Sequence, residues 1–144
     1  MTVEVFVPLR TRSQPRGPSH WSKRAAQVRD ARALVWHYLR SYAAPELPCI
    51  VTMIRVAPCA LDNDNLRGSL KAARDEVAIW LGLPQSSKGQ ANDRDPRCHW
   101  RYQQGKRGVR EYGVIVRAEH VEQSAVDALN AAERWNPLDT PSEL

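Results

Sequence analysis

Proline sets the lengths of the elements that this chain can form. Prolines at 15, 18, 45, 48, 58 and 84 punctuate it. Each lacks a backbone donor and fixes φ, so helices and paired strands stop near it. Residues 3–9 (VEVFVPL) alternate imperfectly and read as a strand. Residues 10–20 carry Pro15, Gly17 and Pro18 and read as a loop. From Trp21 to about Tyr42, Ala25, Val28, Ala31, Leu34, Val35, Tyr38 and Leu39 recur at helical spacing, and Pro45 and Pro48 end that helix. CIVTMIRV (residues 49–56) is rich in β-branched residues and reads as a strand closed by Pro58. An Asx residue in LDNDN then opens a second helix. Its buried stripe is Leu66, Leu70, Ala73, Val77, Trp80 and Leu81, and Gly82 and Pro84 stop it. Residues 85–94 are polar without periodicity and read as a mobile loop. CHWRYQQ (98–104) and REYGVIVRA (110–118) read as strands, with GKRG (105–108) suggesting a hairpin between them. Residues 121–135 read as a short helix. The order β-α-β-α-β-β-α, without repeats, is an α+β pattern.

At 144 residues the chain suits one domain. Its 42% apolar content excludes a disordered chain, and no apolar run approaches the roughly 18 residues of a membrane span. MTVEVFVPLRTR lacks the basic start and apolar core of a secretory signal. Three scattered cysteines argue against a disulfide framework, so a cytoplasmic location is expected.

The net charge of +5 is unevenly spread. Residues 10–40 carry +7, residues 88–110 carry +5 and residues 119–144 carry −5. The centre is nearly balanced, with acids at Asp62, Asp64, Asp75 and Glu76. Basic segments flanking an acidic centre suggest a polyanion held around a cation site, and nucleic acid is the natural candidate.

Asp62 and Asp64 stand where a strand has ended and a helix begins. Residues two apart in an extended segment project to one side, so the pair can share a hard cation such as Mg²⁺. A helix cap with a solvated neighbour is the plainer alternative. Gly68, Lys71 and Asp75 follow Asp64 by 4, 7 and 11 residues and keep to one helical face. Lys71 there can stabilise charge developing on a metal-bound phosphate, or else form a surface pair with Asp75. Asn92-Asp93-Arg94-Asp95 repeats the Asx-rich pattern before the next strand and can supply a third carboxylate, or else a turn. Together these features fit metal-assisted phosphodiester chemistry.

DNDNLRGSLKAARDEVAIWLGL followed by NDRDPRCHWRYQQGKRG resembles the RusA-type Holliday junction resolvases, especially phage and prophage members. The resemblance covers about residues 48–118, with a weaker N-terminal lead-in. It implies an α+β domain over residues 1–136 with a mixed sheet and packed helices, a flexible tail over 137–144, and a homodimer. It also implies Mg²⁺-dependent cleavage of four-way DNA junctions in recombination and repair, with Mn²⁺ as a substitute. By position, Asp62 and Asp64 match the paired aspartates that begin the motif. Asp95 matches the later aspartate, with Asp93 as the alternative alignment, and Lys71 matches the catalytic lysine. Lys71 follows Asp64 by seven residues, the longer form of the phage-type members. Asp62, Asp64 and Asp95 are thus the expected metal ligands, and their oxygens should converge on one cation. Arg16, Lys23, Arg24, Arg97, Arg101, Lys106 and Arg107 are the expected grips on the DNA backbone. A catalytically silent branched-DNA-binding module and an RNA-processing nuclease are the alternatives.

Cys49, Cys59, Cys98 and His99 lack zinc-site spacing. His20 and His37 read as surface or DNA-contacting residues. Trp80 reads as core. Trp21 and Trp100, set among basic residues, suit core or dimer packing, with base stacking as the alternative.

Overall fold

The strand Cys49–Val56 (β2) is buried along nearly its whole length. A continuous apolar run of this kind needs cover on both faces and a neighbour on each side. The computed structural model, which describes residues 1–11, 21–85, 95–105 and 111–134, places β2 inside a four-stranded sheet. The remaining elements are β1 (Thr2–Val7), α1 (Trp21–Leu39), α2 (Asn63–Trp80), β3 (Cys98–Gly105), β4 (Gly113–His120) and α3 (Gln123–Arg134). The sheet order is β1-β4-β2-β3. β2 runs parallel to β3 and antiparallel to β4, which is also antiparallel to β1. The sheet is therefore mixed, and with three helices it makes one small α+β domain.

The expected hairpin between the last two strands does not form, because β2 lies between β3 and β4. The exchange follows from burial. After its first two residues β3 has only half-buried and exposed positions and can sit at an edge, whereas Val114, Ile115 and Val116 of β4 are buried and occupy an interior position. The parallel β2/β3 pair requires a crossover, and α2 supplies it.

The register sorts the two faces of the sheet. Val5, Val116, Met53 and Tyr102 lie in one cross-strand row, and Val3, Ala118, Val51 and Trp100 in another. This face packs with Leu66, Leu70, Ala73 and Val77 of α2 and with Val35 and Leu39 of α1 in one core. Trp80 is half-buried on that core, and its Nε1–H donates to the Tyr42 carbonyl at 3.0 Å. Trp100 is also half-buried there, whereas Trp21 is exposed. Only Val35 and Leu39 of α1 are fully buried, and Ala25 and Val28 of the expected stripe face solvent. Helical periodicity defines a face but not the partner that covers it. Arg32 Nε donates to Glu76 at 2.9 Å and ties α1 to α2. At the β3 edge, Asn130 Nδ2 of α3 donates to the Cys98 carbonyl, and its Oδ1 lies 2.8 Å from His99 Nδ1. Among the described residues no helix is long and apolar enough to cross a membrane.

The ends of α2 are locally encoded. Asp62 is the N-cap and accepts from the Asn65 N–H at 2.9 Å. At the other end Gly82 has φ +82°, while the Gly82 and Leu83 N–H groups donate to Ile79 and Ala78 at 2.9 Å. This is a complete Schellman closure with buried Leu83 as its apolar anchor. Gly82→Ala places a Cβ in the left-handed region and is expected to destabilise the fold by about 1–2 kcal/mol, read by denaturant unfolding.

Candidate functional site

The register aligns Val7 with Val114, Val114 with Arg55, and Arg55 with Gln104. β1, β2 and β3 therefore run the same way, and their carboxyl ends share one end of the sheet. Ligands of open sheets commonly bind outside the carboxyl ends of strands. Arg10 and Thr11 follow β1 at this end, Cys59 and Leu61 follow β2, and Tyr112 precedes β4. With Arg55 they line an open pocket of about 530 Å³. Arg55 is 7% exposed. Its Nε donates to Thr11 Oγ1 at 2.8 Å and its Nη1 to the Cys59 carbonyl at 2.6 Å. Burial lowers its pKa, but an arginine stays charged. The Arg10 guanidinium sits 4.5 Å from the Tyr112 ring centroid.

Asp62 and Asp64 stand at this same end. The Leu61 N–H donates to Gln104 Oε1 at 2.7 Å, and Gln104 Nε2 donates back to the Leu61 carbonyl at 2.6 Å. This reciprocal pair clamps the entry to α2 against the end of β3. Asp62 spends one carboxylate oxygen on its cap, and Asp64, in the first helical turn, is exposed. Lys71 is exposed two turns along α2 and makes no ion pair among the described residues. Asp75, on the same face by spacing, is buried at 7% exposure rather than on the surface. A Cβ built on Gly68 meets nothing within 4 Å, so that part of the face is open.

Asp95 departs from the expected triad. It lies three residues before the start of β3, and the Cys98 N–H donates to its carbonyl. Asp62 is anchored instead beside Gln104, six residues beyond Cys98 along the strand. At about 3.3 Å per residue the two positions lie roughly 20 Å apart, at opposite ends of the sheet. The parallel β2/β3 pairing imposes this, because α2 must carry the chain from one end back to the other. Asp95 is buried and engages Arg97 through two bonds of 3.0 Å, besides accepting from the Arg97 N–H. The Arg97 guanidinium holds its carboxyl below the usual range. In this arrangement Arg97 spends its fork on the Asp95 carboxylate. Among the described residues, no group of three or more His, Cys, Asp or Glu is placed to hold a metal. Asp62 and Asp64 alone still suit Mg²⁺, which commonly takes one or two carboxylates and completes its shell with water and substrate phosphate.

Of the expected DNA grips, Lys23 and Arg24 are exposed on α1, and Arg101 is exposed on the sheet face opposite α1 and α2. Arg16, Lys106, Arg107 and the alternative Asp93 lie outside the described residues, as do His20 and the proposed tail. Cys49 and Cys98 are free and face each other across β2 and β3. Burial pushes their thiols up to about 11 and about 12, so neither is a nucleophile at neutral pH.

The sequence reading missed Arg10, Arg55 and Tyr112. Arg55 had a visible signal, as a single charge inside an otherwise uncharged strand. Arg10 and Tyr112 had none, since only the sheet order brings residues 10 and 112 together. No family model, curated protein or solved structure matches this chain.

Proposed function

We propose that this protein is a Mg²⁺-dependent endonuclease of the RusA type, cutting four-way or other branched DNA as a homodimer. The observation that carries the proposal is the exposed Asp62–Asp64 pair at the carboxyl ends of three strands. The motif resemblance and the two basic segments support it. Asp62 and Asp64 would hold the cation, with Mn²⁺ as a substitute. A bound cation supplies a nucleophilic water and neutralises charge on the scissile phosphate. The α2 N-cap and the Gln104 clamp keep the carboxylates in place before substrate arrives. Lys71 adds a flexible positive charge about 10 Å along the helix, on the face that the DNA would cross. Lys23, Arg24 and Arg101 add affinity without reading sequence.

A catalytically silent branched-DNA-binding module is the second reading. It is favoured by the placement of Asp95, which leaves two carboxylates where the motif implies three. One assay separates the readings: four-way, Y-shaped and linear DNA, and structured RNA, incubated with and without Mg²⁺. The expected result is Mg²⁺-dependent cleavage of the four-way junction. Tight junction binding with no cleavage establishes the silent module, and cleavage confined to RNA establishes an RNA-processing nuclease.

A further inference from the structure

A guanidinium is seldom buried without a carboxylate. Removing a charge from water costs several kcal/mol unless a partner restores the interaction. Arg55, at 7% exposure, meets only neutral acceptors: the Thr11 hydroxyl and the Cys59 carbonyl. Among the described residues it forms no ion pair. Those two bonds use two of its five donors and fix the plane of the fork. The guanidinium lines a pocket of about 530 Å³ open to solvent. A second cation, Arg10, stands at the same wall and is held over the Tyr112 ring at 4.5 Å from the centroid. Fixed guanidinium groups facing a concave, cationic site match a tetrahedral oxyanion, to which arginine donates bidentately.

We propose that the Arg10–Arg55 pocket is a binding subsite for a phosphate group carried by a nucleic acid strand. It is separate from the carboxylate pair but opens at the same end of the sheet. A strand whose scissile phosphate lies at Asp62 and Asp64 would thus place another of its phosphates in the pocket. Arg55 supplies the rigid fork, held by Thr11 and Cys59, and Arg10 closes over the anion from the rim. The source of the phosphate rests on the nuclease reading, whereas the anion chemistry does not. Both an internal phosphodiester and a terminal phosphomonoester present the required oxygens.

The test titrates the full chain with inorganic phosphate, thymidylyl-thymidine and its 5′-phosphorylated form, following arginine Nε–Hε resonances and heat of binding. All three probes are expected to shift the Arg55 and Arg10 signals saturably. Tighter binding of the 5′-phosphorylated form assigns a strand end, and equal binding assigns an internal phosphodiester. Arg55→Lys keeps the charge but loses the fork, and should weaken binding at least tenfold. Arg10→Ala changes an exposed residue and should weaken it severalfold even if the Arg55 variant does not fold. Absence of saturable shifts, or unchanged affinity in Arg10→Ala and in a folded Arg55→Lys, overturns the proposal. Phosphate binding without Mg²⁺-dependent cleavage leaves the pocket standing and removes the nuclease reading. Cleavage without any probe contact at Arg55 does the reverse.

Discussion

Asp64→Asn is expected to slow four-way junction cleavage by at least about 10²-fold, the scale typical of removing one preorganised electrostatic group from a transition state. Asp64 is the better position for this test than Asp62, because Asp62 also caps α2 through the Asn65 N–H. Losing Asp62 would perturb the helix as well as the cation site. Asp64 lies in the first turn and is exposed. Its replacement by Asn keeps size and hydrogen bonding while removing one charge. The cost to the helix is limited to the dipole interaction, about 0.3–1 kcal/mol. Junction binding should persist or tighten, since a negative charge next to the phosphates has gone. Single-turnover cleavage at saturating enzyme separates the chemical step from binding. A wild-type rate in this variant would remove Asp64 from the metal site.

Leu70→Ala is expected to destabilise the fold by about 2–5 kcal/mol, a large share of the 5–15 kcal/mol that typically holds a domain together. Leu70 is fully buried at the centre of the α2 stripe, against the face that carries Val51, Met53 and Val116. Neighbours in a closely packed core relax only partly, so the lost methyl groups leave a cavity. For a chain of this length the loss corresponds to a fall of roughly 7–17 °C in Tm. Thermal unfolding followed by circular dichroism reads it directly. A shift below about 2 °C would mean that α2 is not packed on the sheet as described.

Local chemistry made much of the chain legible before its structure. The CIVTMIRV run spans β2 residue for residue, because β-branched residues between prolines have few alternatives. The α2 stripe is buried as its spacing requires, Asp62 caps the helix and Gly82 closes it. These are short-range effects, decided within a few residues along the chain.

Strand pairing and site composition were decided elsewhere. Nothing near GKRG shows that β2 should enter between β3 and β4. That depends on which strand can bury both faces, a comparison across some 70 residues. The parallel crossover then sent Asp95 to the far end of the sheet from Asp62 and Asp64, although the linear motif placed all three on one cation. The same sheet order drew Arg10, Arg55 and Tyr112 around one pocket from three distant stretches. By itself the sequence determined the order of the elements, the extent of β2, the caps of α2 and where the carboxylate pair sits, because capping, turn and periodicity energies are local, while β1, α1, β4 and α3 begin or end a few residues from where their patterns place them. Only the tertiary structure decided which carboxylates and guanidinium groups share an end of the sheet, because that follows from strand order and direction, set by the burial of whole faces.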